Sequence, residues 1–269
     1  MVINQINNQL AALNNKGEII VINDFSEEFC KKFEKFKNIN HIQILNLKKN
    51  VGSQKAISIG LNYIRKKYNE SRVITVLDSD GEDDVSQIPF MINNAIQNPD
   101  KVIVSCRKSR KEKFFFRVSY FFHKLITFLI TLKWISFGNY SSFLSNNIET
   151  ILKNDKSWLA FSGCLAFNCK IKRLFAPRQN RLIGESKLTL IGLINHSLRI
   201  NAVFLKRISA LLTVYISFFL FLKDNFNIFS LFFIFIIILF YILIVVSLIK
   251  NKQGDFEKSL ELIDTEDNF

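Results

Sequence analysis

Short apolar runs alternate with charged, helix-like segments along the first part of the chain. Four runs have the length and β-branched composition of buried strands, at 18–23, 42–47, 73–77 and 102–105. Apolar residues recur at helical spacing between them, and the pattern predicts helices over 27–37, 52–67 and 89–96. Strands that alternate with helices in this way predict an α/β fold with a mostly parallel sheet and flanking helices.

The second half of the chain carries long apolar segments. Segment 114–137 is crowded with Phe, Leu and Ile but also carries basic residues, which favours a helix lying in a membrane interface; a core helix is the alternative. Segments 202–222 and 228–249 predict a tight hairpin of two membrane spans. Basic residues flank this hairpin at Lys206, Arg207, Lys250 and Lys252. By the positive-inside rule, both of its ends face the cytoplasm.

The charge distribution favours phosphorylated ligands. The formal net charge is +13, and the basic residues are concentrated between Lys101 and Lys133, whereas segment 251–269 is acidic. A basic band beside a membrane suits lipid phosphate, and no recognition motif supports a nucleic-acid partner. The four cysteines form no CxxC pair, so we expect reduced thiols and no zinc site.

An acidic segment, DSDGE at 78–82, directly follows the third predicted strand. Gly81 permits a turn there, so the carboxylates of Asp78, Asp80 and Glu82 can reach one hard divalent cation. Such an ion would neutralise the diphosphate of a nucleotide-sugar as it leaves. An ordinary solvated acidic loop is the alternative, since two acids around one residue are common.

The acceptor decides whether a general base is needed. Asp83 and Asp84 are the nearest candidate bases if the acceptor is a sugar hydroxyl. A phosphate monoester, with its second pKa near about 6, is already largely dianionic at neutral pH. It needs positioning and charge neutralisation and no deprotonation.

Cationic residues at two places suit a phosphate. In RLIGESK, at 181–187, Ser and Lys stand beside a flexible Gly, with Arg as a second cation. A basic loop that contacts lipid headgroups is the alternative there, and the residues after the fourth strand are ambiguous in the same way. The residues concerned are Arg107, Arg110, Arg181, Ser186 and Lys187.

Five segments in order resemble family 2 glycosyltransferases over about residues 17–207. They are NVGSQKAISIGL, VITVLDSDGEDD with the following Ile-Pro pair, SCRKSR, FGNYSSFLS and RLIGESKLTLIGLINHSL. The chain is similar to the polyprenyl-phosphate sugar transferase branch, which includes dolichol-phosphate mannosyltransferases and also carries a hydrophobic hairpin. The resemblance implies a GT-A fold, a UDP- or GDP-sugar donor, Mg²⁺ or Mn²⁺ as cofactor, and inversion at the sugar.

The resemblance also implies roles for individual residues. Asp78 and Asp80 would bind the metal, with Glu82 where relatives often have Gln. Asp24 stands in the acidic pair near the nucleotide. The donor or acceptor phosphates would be held by Arg107, Arg110, Arg117, Arg181, Ser186 and Lys187. The expected catalytic residues are Asp80, Asp83 and Arg181.

The chain departs from the family pattern at its start. The family's first strand ends in a Pro-x-Tyr-Asn-Glu-like loop that has no counterpart here, Asn23-Asp24 replaces an Asp-Asp pair, and Phe25 replaces a glycine. We therefore expect a GT-A-type sheet without its N-terminal strand, which would lie between 18–23 and 73–77.

The predicted organisation has four parts: a nucleotide-sugar-binding α/β part at 1–113, an acceptor-side part with interfacial helices at 114–201, a transmembrane hairpin at 202–250, and an acidic cytosolic tail at 251–269.

Together with these patterns, the resemblance implies a metal-dependent, membrane-anchored hexosyltransferase. It would move sugar from a UDP- or GDP-sugar to polyprenyl phosphate or a related surface-glycan precursor. It would be a multi-pass protein of the cell (inner) membrane, with catalytic domain and termini cytoplasmic. The alternative is a non-catalytic scaffold in a glycan-assembly complex, which the missing strand favours. Two spans without intramembrane charge argue against a transporter. The expected partners are the nucleotide-sugar, the lipid acceptor and the bilayer, and a homo-oligomer is left open.

Overall fold

The structure, a computed structural model, describes residues 2–26, 33, 35–107, 114–176, 189–221 and 228–269. Its helices are α1 Val2–Ala12, α2 Ser53–Lys67, α3 Ile88–Gln97, α4 Phe114–Thr131, α5 Ile148–Leu152, α6 Phe161–Asn168, α7 Leu190–Ala202, α8 Leu205–Phe221 and α9 Ile228–Asn251. Its strands are β1 Gly17–Asn23, β2 Ile39–Leu47, β3 Val73–Val76, β4 Lys101–Arg107, β5 Phe137–Leu144, β6 Lys170–Ala176 and β7 Ile263–Asn268.

The strands form two mixed sheets, with the orders β1-β2-β7 and β3-β5-β4-β6. The pairs β1–β2 and β4–β6 are parallel, whereas β2–β7, β3–β5 and β4–β5 are antiparallel. The predicted α/β class is confirmed, but the prediction of a mostly parallel sheet is wrong, because both sheets are mixed. The antiparallel pairs all involve β5 or β7, and neither segment has a sequence pattern that we interpreted as a strand.

The four predicted strands and the helices α2 and α3 are confirmed, with shifts of a few residues at their ends. Segment 114–137 is helical only as far as Thr131, because Phe137 already begins β5. The helix predicted over 27–37 falls mainly outside the described residues, and its described end, at 33 and 35–37, is not helical.

The two sheets lie between the same helices. Ile22 of β1 and Ile74 of β3 belong to one apolar core with α2, and α2 approaches β1 so closely that a Cβ on Gly60 would lie 3.1 Å from Ile22 Cδ1. On the other face, Ile6 of α1 packs against the apolar clusters of both sheets. Within the described residues, β1 and β3 each pair with one strand, and the expected but missing strand would lie between them.

The C-terminal segment, which the sequence pattern led us to treat as an acidic tail, is part of the folded α/β unit. After α9, the 3₁₀ segment Gln253–Leu262 buries Phe256, and β7 then pairs with β2. The last residue, Phe269, exchanges two backbone hydrogen bonds with Ile42, at 3.0 and 2.9 Å. The chain therefore returns from its most apolar helix to the sheet on which it began.

One apolar helical segment in the described part is long and apolar enough to cross a membrane. It begins at Ile234 within α9, and its most apolar stretch has a mean hydropathy of 2.6 with 6% of its residues buried. The helices α7 and α8 pass the same test only as a pair, and they are bent by 85° relative to each other. Length and composition thus weakly indicate a membrane anchor at the C-terminal side.

Candidate functional site

The acidic loop after β3 is a tight turn held by its own carboxylates. Gly81 has a φ of +79°, a conformation that a side chain would disfavour. The Asp83 carboxylate accepts a hydrogen bond from the Asp78 backbone N–H at 2.9 Å, and Asp80 accepts one from the Glu82 N–H at 3.0 Å. The carboxylates of Asp80 and Asp83 thus hold the backbone of one short turn directly after β3.

Two amide side chains connect this loop to the core. Asn139 of β5 donates to Asp78 Oδ1 at 3.2 Å, and Gln54 on the first turn of α2 donates to Asn139 Oδ1 at 3.2 Å. Gln54 is buried and also accepts a hydrogen bond from the Phe161 N–H, at 2.7 Å, at the start of α6. Asp78 is therefore oriented through a chain of hydrogen bonds that crosses three elements, and metal binding by Asp78 stays a prediction.

Asp24 lies at the end of β1, and its carboxylate holds the loop that precedes α2. Its two oxygens accept hydrogen bonds from the backbone N–H groups of Val51, at 2.7 Å, and Gly52, at 2.8 Å. Gly52 has a φ of +84°. Gln54 follows Gly52 by two residues and is linked through Asn139 to Asp78. Asp24 and Asp78 are therefore both connected to the N-terminal turn of α2. Contact of Asp24 with a nucleotide stays a prediction.

Asp84 and Tyr140 are both buried at the end of the acidic segment and are joined by a hydrogen bond. Asp84 is buried and caps the 3₁₀ turn Val85–Gln87, accepting from the Ser86 N–H at 3.1 Å and the Ser86 hydroxyl at 2.7 Å. The Tyr140 hydroxyl donates to the Asp84 carbonyl at 3.1 Å. Burial, reinforced by the carboxylates of Asp83 and Asp84, raises the pKa of Tyr140 far above its usual range. Tyr140 is a neutral hydrogen-bond donor here.

The acidic loop offers the ligand chemistry of a divalent cation, although no group of three or more metal-binding side chains is gathered among the residues described. Mg²⁺ in nucleotide-dependent enzymes is commonly held by one or two carboxylates together with substrate phosphates and water. Asp78 and Asp80 fit that donor set. Glu82 as a third ligand stays a prediction.

The predicted phosphate-binding residues fall mostly where the structure gives no side-chain geometry. Arg110, Arg181, Ser186 and Lys187 lie outside the described residues. The backbone places Arg107 at the end of β4 and Arg117 on α4, but their side chains also lie outside the described part. Their roles, and the catalytic role of Arg181, stay predictions.

The described cysteines are structural. Cys106 and Cys164 are buried, and burial raises the pKa of both thiols. Burial also raises the pKa of Cys169 to about 12. These thiols are protonated at neutral pH and are poor nucleophiles. Cys30 lies outside the described residues.

Residues 2–173 match the family described as Glycosyl transferase family 2. The matched region contains the acidic loop, Gln54, Asn139 and the strands β1 to β5, and it ends within β6. Comparison with curated proteins gives no match.

Proposed function

This chain belongs to family 2 of the glycosyltransferases, and we propose that it moves a hexosyl unit from a UDP- or GDP-sugar to polyprenyl phosphate or a related surface-glycan precursor. The supporting observation is the acidic loop after β3, which is tied through Asn139 to α2 in a domain that continues into apolar helices.

Asp78 and Asp80 would hold Mg²⁺ or Mn²⁺, which supplies charge neutralisation for the leaving diphosphate. A phosphate oxygen of the acceptor attacks the anomeric carbon and forms the new C–O bond. The bond from that carbon to the nucleoside diphosphate breaks, and its electron pair leaves with the diphosphate. Direct displacement inverts the anomeric configuration, and no proton has to be removed from a dianionic phosphate.

The hydrogen bonds of Asp83 and Asp84 support a phosphate acceptor. A sugar hydroxyl would require a carboxylate within reach to accept its proton. Asp84 is buried beneath the loop and accepts two hydrogen bonds from Ser86, while Asp83 accepts one from the loop backbone at Asp78. Both carboxylates thus have a structural role in shaping the loop, and an acceptor that needs no base suits such a site.

The path of the chain supports a membrane hairpin. With 24 residues, α9 is roughly 36 Å long at about 1.5 Å per residue, enough for a hydrocarbon core of about 30 Å. The 17 residues of α8 give roughly 25 Å, so its span would include neighbouring residues. Because α8 starts and α9 ends at the same α/β unit, a crossing by α9 requires a return crossing. By the positive-inside rule, the flanking basic residues favour a cytoplasmic side for that unit.

Membranes that contain the protein should transfer radiolabelled sugar from one UDP- or GDP-sugar to an organic-extractable lipid. Asp80→Asn should lower the rate by at least about 100-fold, the scale expected when a group that neutralises developing charge is lost. Glu149→Gln is the matched control, because this carboxylate is 73% exposed on α5. If the label enters only water-soluble saccharide, the proposal of a lipid acceptor is wrong. Absence of transfer from every donor would favour the scaffold.

A further inference from the structure

Two basic side chains contact Trp158, and two more lie near one of them. Lys55 and Arg199 contact Trp158 directly, and Lys49 and Lys252 are close enough to Lys55 to act on its charge. We call these four residues the Trp158 cation cluster. They come from the loop after β2, from α2, from α7 and from the turn after α9, so the fold collects positive charge from four separate parts of the sequence.

Lys55 lies over the ring of Trp158. It follows Gln54 on the first turn of α2, and its half-buried Nζ lies 4.9 Å from the centroid of the Trp158 ring. Burial lowers the pKa of Lys55, and the positive charges of Arg199, Lys49 and Lys252 lower it further. Asp255 acts in the opposite direction. Three of the charged residues that act on Lys55 are cations and one is an acid.

Arg199 is held by two backbone carbonyls. Its Nε donates to the Leu159 carbonyl at 2.7 Å, and one terminal nitrogen lies 3.4 Å from the Trp158 carbonyl. A guanidinium has five N–H donors, so these contacts orient the group and leave donors for a ligand. No ion pair to a carboxylate is present for Lys55 or Arg199 in the part of the chain that is described.

Two polar atoms beside the cluster also have no described hydrogen-bond partner. They are the indole Nε1 of Trp158, whose residue is 1% exposed, and the buried hydroxyl of Ser157. Buried polar atoms are normally hydrogen-bonded, and an orphaned donor indicates that a polar group belongs nearby. The cluster therefore combines positive charge with unused hydrogen-bonding capacity.

The residues of the cluster are connected both to the acidic loop and to the apolar helices. On one side, Gln54 links the first turn of α2 through Asn139 to Asp78. On the other side, Arg199 precedes the start of α8 by six residues, and Lys252 directly follows α9. A headgroup bound here would be linked through Gln54 and Asn139 to the acidic loop, and its hydrocarbon tail would continue along α8 and α9.

We propose that the Trp158 cation cluster binds the phosphate of the polyprenyl-phosphate acceptor, with Lys55 and Arg199 as its principal donors. This inference rests on the proposed function and names where its acceptor binds. A dianionic phosphate relieves the mutual repulsion of Lys55 and Arg199. The phosphates of the donor nucleotide are instead placed at the acidic loop, where carboxylates can share a divalent cation with them.

The test is a binding titration in nonionic detergent micelles. The chain has two tryptophans, and in a Trp134→Phe background the remaining fluorescence reports on Trp158, the centre of the cluster. A long-chain polyprenyl phosphate should change this fluorescence, whereas the corresponding polyprenol should not. Lys55→Gln should raise Kd for the polyprenyl phosphate roughly tenfold, the scale of one charge-assisted hydrogen bond, and Lys55→Arg should stay within about threefold of wild type.

Lys66→Gln is the matched control, because Lys66 is exposed on the last turn of the same helix. Arg199→Gln should also weaken binding, but Lys55→Gln and Lys55→Arg decide the test, since Arg199 additionally holds two backbone carbonyls. An unchanged Kd in Lys55→Gln would overturn the proposal, as would equal binding of polyprenol. An equal loss of UDP- and GDP-sugar binding would assign the cluster to the donor and overturn it too.

Two results separate this inference from the proposed function. If the wild type transfers sugar but Lys55→Gln binds polyprenyl phosphate normally, the proposed function stands and this site is wrong. If Lys55 is needed for binding polyprenyl phosphate but no sugar is transferred from any donor, the site stands and the proposed function fails.

Discussion

Phe256 connects the C-terminal segment to the α/β core, and its replacement by Ala should destabilise the protein strongly. The residue is 4% exposed, and its ring packs edge-on against Trp158 with the centroids 5.9 Å apart. Removing a buried Phe side chain typically costs about 3–5 kcal/mol, because burial is lost and a cavity remains. The upper part of this range is expected, since an edge-to-face aromatic pair adds about 0.5–1.5 kcal/mol.

Urea unfolding in detergent micelles, followed by far-ultraviolet circular dichroism, would measure this change. Circular dichroism is preferable to fluorescence because the mutation alters the surroundings of Trp158 itself. Phe175→Ala is the control: this ring on β6 is 64% exposed, so the free energy of unfolding should change by no more than about 0.5 kcal/mol. A loss below about 1 kcal/mol for Phe256→Ala would refute the packing of the segment on the core.

Two further predictions concern the acidic loop and the β2–β7 pair. Asn139→Ala removes the hydrogen-bond donor to Asp78. The Mg²⁺ or Mn²⁺ concentration needed for half-maximal transfer should rise by roughly tenfold or more, with little change in the rate at saturating metal. An equal loss of rate at all metal concentrations would contradict a role of Asn139 in positioning Asp78. The Tyr63 hydroxyl donates to Glu266 at 2.7 Å, and burial together with this carboxylate raises the pKa of Tyr63 from 10.0 to about 12. The folded state thus favours the protonated phenol, so the stabilisation is fully present below pH 10 and is lost as the pH rises through about 12. Thermal melts of wild type and Tyr63→Phe should therefore converge over that interval, and a constant difference would count against the sign of this shift.

The sequence predicts the elements that rely on simple periodicity. The strands β1 to β4 are short apolar runs, and α2 and α3 have apolar residues at helical spacing, so local pattern and final structure agree. The strands β5 and β7 have no such pattern: FGNYSSFL contains polar residues, and IDTEDN is mostly acidic. These segments become strands because neighbouring strands offer hydrogen-bonding edges, a tertiary effect that a local pattern does not contain.

The candidate site, like the fold, is only partly predictable from the sequence. The acidic loop is evident from the sequence, because carboxylates directly after a buried strand and a Gly indicate a ligand-binding turn. Gln54 and Asn139 lie within segments that carry the family resemblance, yet neither has a residue type that identifies a catalytic role. Their importance appears only when α2, β5 and the loop come together. The Trp158 cation cluster is still less accessible to sequence reasoning, since its members span 204 positions, from Lys49 to Lys252.

The return of the chain to β2 makes the α/β unit dependent on sequence beyond the apolar helices. Besides Phe256, the buried hydroxyl of Ser259 accepts a hydrogen bond from Asn62 at 2.8 Å, and β7 covers the edge of β2. A fragment that ends at residue 204 loses these contacts and exposes an apolar strand edge, which promotes aggregation. Joining residues 252–269 to that fragment through a Gly/Ser linker omits α8 and α9 but restores the strand. Size-exclusion chromatography should show more monomer for the linked fragment than for the shorter one. Equal behaviour of the two would mean that the sheet is stable without β7, because both fragments lack α8 and α9.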